Sequence, residues 1–321
     1  MIKKKQKKKS SIGKNLVLGF ISFTCILILV GAITIINLSS KINTVEIDRS
    51  SVTDTGKEEI KEEDDVITVA LLGADYSGGE MGASDATMIL SIDTKKNNIK
   101  LSSLMRDMYL DLPNGGKQNL NYTLVDGGPE LLLRTINYNF NLKVDKFIYV
   151  SLRTLPIIID KLGGVEIEIT NEELDYINNY ISSIDYQNGT ATEPLYSSGK
   201  QLLNGTQASA YCRIRYTEGR DYKRTERQRE VLSAIFNKFK DINLTEVPSL
   251  INELLPLVTT NMTTSEMFSI ATKALAAGVS NIEQGRFPLD EHHYAEWTDM
   301  YHMIVDIDAT TEEIHKFIYS K

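Results

Sequence analysis

Residues 15–40 carry no charged side chain, and residues 16–38 read LVLGFISFTCILILVGAITIINL. About 20 apolar residues cross the hydrocarbon core of a bilayer, so this run is long enough to span one with some tilt. A cleaved secretory leader has a shorter apolar region, about 7–15 residues, and ends in a small-x-small site. Asn37-Leu38-Ser39-Ser40 is a poor site of that kind. The run therefore reads as an uncleaved transmembrane helix over 16–38. Ahead of it, residues 1–15 form a tail with Lys3, Lys4, Lys5, Lys7, Lys8, Lys9 and Lys14 and no acid. Basic flanks of a span stay in the cytoplasm. The expectation is a single-pass protein of the cell membrane with its N-terminus inside and the rest of the chain extracytoplasmic.

The net charge of −8 is unevenly spread. The tail holds +7 and the apolar run holds none, which leaves −8 − 7 = −15 on residues 41–321. An acidic body of that size lacks the surplus Lys and Arg that phosphate neutralisation needs, so no nucleic-acid partner is expected. With 42% hydrophobic and 24% charged residues, the chain is neither disordered nor collagen-like. Cys25 and Cys212 make no disulfide framework, and four scattered His without a Cys pair make no tetrahedral zinc site.

Residues 39–65 are rich in Ser, Thr, Lys, Glu and Asp and read as a solvated extracytoplasmic stalk. From Val66 the pattern changes. Strands are expected over 66–75, 86–93 and 99–105, a helix from Pro129 to about Phe140, a strand over 147–151, a helix over 152–161 stopped by Gly163-Gly164, and a strand over 165–169. Thr225-Glu226-Arg227-Gln228 fits a capping box with Thr225 as the cap, and Val231, Leu232, Ile235, Phe236 and Phe239 then recur at helical spacing. Helices near 248–259 and 265–277 and a late strand over 303–308 complete the reading. Strands interleaved with helices point to an α/β protein, helices packed on a central sheet.

Three constellations bear on chemistry. Asp75 ends a strand, the Gly-rich stretch SGGEMGAS follows, and Asp85 comes at its far end. Two carboxylates brought together by such a loop can share a hard cation such as Mg²⁺, although Asp also serves as an ordinary turn residue. Arg106-Asp107 lies just past a strand end and is by itself a common surface pair. Residues 213–230, RIRYTEGRDYKRTERQRE, concentrate Arg213, Arg215, Arg220, Lys223, Arg224, Arg227 and Arg229 in an acidic body. If 211–217 is a strand, Arg213 and Arg215 share a face; if the preceding helix runs on, they do not. Arg224 and Gln228 would flank a helix start, which favours anions, and Arg recognises phosphate in bidentate fashion. A pyrophosphate or phosphodiester is the natural partner; a solvated face, with Glu218, Asp221, Glu226 and Glu230 as local partners, is the competing reading. Lys117 and Asn119 are within reach of a ligand only if their turn faces one. Cys212 reads as a packing residue.

The chain resembles the LytR-CpsA-Psr proteins of Gram-positive bacteria over roughly Val66 to Asp241. The segments that carry the resemblance are LLGAD with SDATMILSID, SSLMRDMYLDLP, KQNLNY through GGPEL with DKLGGVEIEI, and GKQLLNGTQASAYCRIRYTEGRDYKRTERQREVLSAI. It implies an α/β/α-like sandwich with a central mixed sheet and a long apolar pocket for a polyprenyl tail. It assigns 66–241 as the catalytic domain and leaves 242–321 as a C-terminal α/β extension. It implies a phosphotransferase that moves an anionic glycopolymer from a polyprenyl-pyrophosphate carrier onto peptidoglycan; some members hydrolyse such pyrophosphates, and the family also carries the label of transcriptional attenuator. Carried over by position, Asp75 and Asp85 would hold Mg²⁺. Arg106, Lys117, Arg213, Arg215, Arg224 and Gln228 would bind the pyrophosphate, and Asp107 or Asp221 would take the acceptor's proton. Tyr76 and Ser77 stand where relatives usually carry an Arg.

Overall fold

The computed structural model describes residues 41–56, 65–77, 80–241, 247–276 and 282–319. The basic tail 1–15 and the expected span 16–38 lie outside the described residues. Among those described, no helix is long and apolar enough to cross a membrane. The chain divides into two compact units, Met1–Lys41 and Ile42–Lys321.

The second unit opens with a two-residue strand, β1 (Asn43–Thr44), and a short helix, α1 (Arg49–Thr53). The Asp48 side chain caps α1 by accepting from the Ser50 and Ser51 amides. Val52 is buried in the main core, and Asn137 Nδ2 donates to its carbonyl at 2.8 Å. Arg49 meets Glu266 at 2.6 Å. The expected stalk over 39–65 is corrected here: residues 42–53 belong to the folded unit. A polar composition conceals the apolar side chains, Val45, Ile47 and Val52, that pin them down.

β2 (Val66–Ser77) and β3 (Glu80–Asp93) pair antiparallel and run longer than the sequence suggests, because the Gly-rich stretch continues the ladder out to Ser77 opposite Glu80. β4 (Asn98–Leu104) returns beside β3. A separate hairpin joins β5 (Tyr109–Asp111) to β6 (Lys117–Asn119). α2 (Leu120–Phe140) breaks at Gly127 and Gly128, the latter at φ 67°, and restarts at Pro129, where the sequence expected its helix. β7 (Phe147–Ser151), α3 (Leu155–Lys161) and β8 (Val165–Ile169) fall close to their expected positions.

α4 (Asn171–Asn188) has no counterpart in the sequence reading, yet its start carries a capping box in which Thr170 and Glu173 exchange bonds. β9 (Gly199–Leu203) pairs with β8. α5 (Gly205–Arg213), started by an Asn204–Gln207 capping box, runs through Arg213, so no strand forms over 211–217 and the face-sharing of Arg213 and Arg215 fails. α6 (Arg220–Asp241) begins five residues before the expected cap. Gly219, at φ 84°, turns the chain into it, its carbonyl accepting from the Tyr222 amide at 3.0 Å. Thr225 therefore lies inside the helix, and its hydroxyl meets Met105 Sδ at 3.8 Å.

The remaining elements are α7 (Val247–Leu254), β10 (Thr259–Thr260), α8 (Thr264–Ala276), β11 (Ile282–Phe287), β12 (His293–Trp297), β13 (Tyr301–Val305) and α9 (Ile307–Tyr319). The central sheet runs β1-β10-β7-β2-β3-β4-β11 and is mixed: β7 is parallel to β2, and β3 is antiparallel to both its neighbours. The stretch 242–321 is thus not an appended piece, since it supplies β10 near one edge and β11 at the other.

Alternation along the strands gives two apolar faces. Ala70, Leu72 and Ile89 point to the layer of α2 and α9, where Leu132, Ile136, Ile314 and Ile318 are buried. Leu71, Met88, Leu90 and Leu101 point to the layer of α6 and α8, against Leu232, Phe236 and Ile270. The result is the expected α/β/α sandwich. A third cluster, built from α3, α4, α5 and the β8–β9 pair, sits beside it.

Candidate active site

Two irregularities in the β2–β3 ladder organise the site. Gly73 faces Ala86 but Ala74 faces Ser84, which leaves Asp85 as an extra residue on β3. The second falls between Ala74 and Tyr76, at Asp75. Bulges of this kind bend a strand and re-aim its side chains. Gly73 permits the close approach: a Cβ there would stand 3.2 Å from the Ala86 Cβ.

Asp85 is the hub of the basic cluster. Arg106, from the turn after β4, donates through Nη1 to Asp85 Oδ1 at 2.5 Å. Arg215, on the segment between α5 and α6, and Arg224, on α6, each bring a guanidinium nitrogen to 3.7 Å from the same oxygen. The Arg224 side chain is only 2% exposed. Arg213, the last residue of α5, and Gln228, one turn beyond Arg224, line the same cavity. Gln228 Oε1 is buried with no hydrogen-bond partner among the described residues; rotating the amide would present its NH₂ there instead. Three arginines on one carboxylate, with Arg213 lining the same cavity, leave a surplus of positive charge in the fork geometry that suits phosphate oxygens.

Behind this head runs a groove of about 830 Å³. Its deeper walls are apolar, with Leu71, Met88 and Val150 on the sheet, Val231 and Phe236 on α6, and Leu254 at the end of α7. Tyr176 and Tyr180 of α4 form the facing wall. Sequence reasoning missed this wall; the Thr170-x-x-Glu173 signature was the available signal. The arrangement is complementary to a molecule with a polyanionic head and a long apolar tail.

The expected site residues are not all gathered here. Lys117 lies on the β5–β6 hairpin, meets Asp111 at 3.1 Å, and is not among the groove-lining residues. Asp107 stands beside Arg106, Oδ2 to Nε at 3.5 Å. The side chains of Asp75 and Asp221 lie outside the described residues. Arg227, one of the seven bases, is 3% exposed and engaged with Glu173 at 2.7 Å. Cys212 lines the groove, but burial pushes its thiol up to about 12, so it is no thiolate at neutral pH and no nucleophile.

Among the described residues no three His, Cys, Asp or Glu side chains converge. Of the two carboxylates expected to share a hard cation, Asp75 and Asp85, only the Asp85 side chain lies among the described residues. A carboxylate oxygen together with phosphate oxygens and water is the kind of donor set that suits Mg²⁺. The three arginine contacts to Asp85 all fall on Oδ1.

An α/β/α sandwich with an arginine-headed apolar groove defines the class. The chain belongs to the LytR_cpsA_psr family, whose model matches residues 33–316. It is 28% identical over 251 residues to a polyisoprenyl-teichoic acid–peptidoglycan teichoic acid transferase TagU of Bacillus mycoides, covering 77% of this chain and 76% of that protein. The crystal structure of B. subtilis TagT shares the fold, with a TM-score of 0.64 at 21% identity over 85% of this chain and 99% of that one. A structure of the same protein, YwtF (TagT), with bound octaprenyl pyrophosphate lipid gives a TM-score of 0.62 at 20% identity, over the same shares of the two chains.

Proposed function

We propose that this chain is a membrane-anchored, extracytoplasmic phosphotransferase. It takes an anionic glycopolymer carried on polyprenyl pyrophosphate and joins it through phosphate to peptidoglycan. The observation that carries this reading is the groove, with its apolar length for a prenyl tail and Arg213, Arg215 and Arg224 at its head. The TagU relative's name and the octaprenyl pyrophosphate held by TagT support it.

In the reaction an acceptor hydroxyl oxygen on peptidoglycan bonds to the phosphorus that carries the glycan. The bond from that phosphorus to the bridging oxygen breaks, and polyprenyl phosphate leaves with the bridging oxygen and its electron pair. Charge moves toward the leaving phosphate, where Arg213, Arg215 and Arg224 stabilise it; preorganised electrostatics is usually the largest catalytic contribution. Arg106 and Asp85 hold each other in register with that cluster. The hydroxyl proton passes to a carboxylate, Asp107 or Asp221. Mg²⁺ held by Asp85 and Asp75 would supply further neutralisation of the phosphate charge. Anchoring by residues 16–38 keeps the enzyme at the leaflet in which its donor is embedded.

The test is transfer by the full chain in detergent micelles, given a polyprenyl-pyrophosphate glycan, a peptidoglycan oligomer and Mg²⁺, with products read by mass spectrometry. Glycan-phosphate joined to peptidoglycan, lost in Asp85→Ala and Arg213→Ala, is the expected result. Phosphate release without joining would replace the transferase with a hydrolase. No reaction from folded protein across several donors would leave a binding or regulatory protein.

A further inference from the structure

Arg227 belongs to the basic cluster in sequence but not to the groove in space. It is 3% exposed and follows Arg224 by three residues on α6. Its guanidinium is spent on two segments of the chain at once. Nε donates to Glu173 Oε1 at 2.7 Å, Nη1 to the Ile214 carbonyl at 3.1 Å, and Nη2 to Thr217 Oγ1 at 2.6 Å. Glu173 is itself fixed as the capping residue of α4: its Oε2 accepts from the Thr170 amide at 2.9 Å and from the Thr170 hydroxyl at 3.0 Å. A second clasp runs parallel, the Glu218 amide donating to Glu172 Oε1 at 2.9 Å.

The segment tied down in this way, 214–218, has neither helix nor strand. It carries Arg215, which is 48% exposed and reaches Asp85 at 3.7 Å. A long, half-exposed side chain on an irregular segment loses conformational freedom when it binds, and that cost falls if the backbone beneath it is already fixed.

We propose that Arg227 is a positioning residue: with Glu173 it clamps the 214–218 segment against α4 and so aims Arg215 at the anionic group bound at the groove head. The inference rests on the reading that the groove head takes a pyrophosphate. Arg suits this place because one planar fork serves three acceptors, which a lysine ammonium on its flexible stem does not reproduce.

The test is calorimetric binding of inorganic pyrophosphate to the full chain in detergent, for wild type, Arg215→Ala, Arg227→Met and the double variant, each with a thermal midpoint. Arg215→Ala is expected to weaken binding about tenfold, the scale of one charge-assisted hydrogen bond. Arg227→Met is expected to weaken it by a similar factor, and the double variant to bind no more weakly than Arg215→Ala, because Arg227 acts only through Arg215. Arg227→Lys keeps a charge opposite Glu173 but not the fork; it should recover the thermal midpoint and not the affinity. Full affinity in Arg227→Met, multiplicative losses in the double variant, or recovery of affinity by Arg227→Lys would each overturn the inference while leaving the pyrophosphate site intact. Absence of binding by the wild type would overturn both the site and the inference. Losing Arg227 strands a buried carboxylate, so Arg227→Met can fail to fold. Thr217→Val then decides the matter, because it removes one contact of the fork and leaves the Glu173 pair. A loss of several-fold supports the clamp, and unchanged affinity in a folded Thr217→Val overturns it.

Discussion

Asp85 gathers Arg106, Arg215 and Arg224 on one oxygen, and of the three Arg224 is the most enclosed. Water that fills the space left by a guanidinium held at 2% exposure does not restore its charge or its fork of donors. Arg224→Ala is therefore expected to lower kcat/KM for transfer by about 100-fold, in the range found for loss of one preorganised transition-state donor. Arg224→Lys should not restore it, because a point charge lacks the fork. Steady-state kinetics with the lipid-linked donor checks both. Cys212 offers a second test. With its thiol pushed up to about 12 by burial, the Cys212 peptide should resist iodoacetamide at pH 8 in folded protein and react once the protein is unfolded, as followed by peptide mass. At this scale the sequence displayed the cluster but not the division of labour within it. Arg213, Arg215, Arg224 and Arg227 look alike along the chain. Arg227 is set apart by its bonds to Ile214, Thr217 and above all Glu173, 54 residues away, a contact made in the folded chain alone.

Strands β2, β3, β4 and β7 showed themselves as β-branched runs because both faces of the central sheet are covered, whereas β8, in the separate β8–β9 pair, showed the apolar–polar alternation of a strand with one buried face. α1 and α4 were not, since each buries a narrow stripe under an otherwise polar surface: Val52 in α1, and Ile177, Ile181 and Ile184 in α4. α6 was legible as a helix but not in its start, because a good cap sequence at Thr225 competes with the turn that Gly219 makes upstream. The docking of α1 is open to measurement. Val52→Ala removes two methyl groups from a site 1% exposed and should cost about 2 kcal/mol in chemical denaturation. The Arg49–Glu266 bridge has a pH signature. The hydrogen bond from Arg49, reinforced by the Thr263 amide and hydroxyl against the opposing effect of burial, holds the Glu266 carboxyl at about 2. A carboxylate with a depressed folded pKa contributes stability that is complete above its unfolded value of about 4.3 and fades as pH falls toward the folded one. The gap in denaturation midpoint between wild type and Arg49→Met should thus be constant above about pH 5 and close by about pH 2.

On the scale of the whole molecule, the sheet is assembled from distant parts of the chain, with β1 and β10 closing one side and β11 the other. No local pattern announces such pairings, because Asn43 meets Thr259 across the length of the chain. A catalytic domain bounded at 66 and 241 is what the family resemblance implies; the sheet extends past both limits. This bears on how the protein can be cut for study. A chain begun at Val66 looks complete on paper, yet it discards Val45, Ile47 and Val52, which pack on the main core, together with the strand that ends the sheet beside β10. Bared apolar surface and an unpaired edge invite self-association. Light scattering should find protein begun at Ile42 monodisperse and protein begun at Val66 clumping at the same concentration, so a soluble fragment of this enzyme has its natural starting point some two dozen residues earlier than its first long strand.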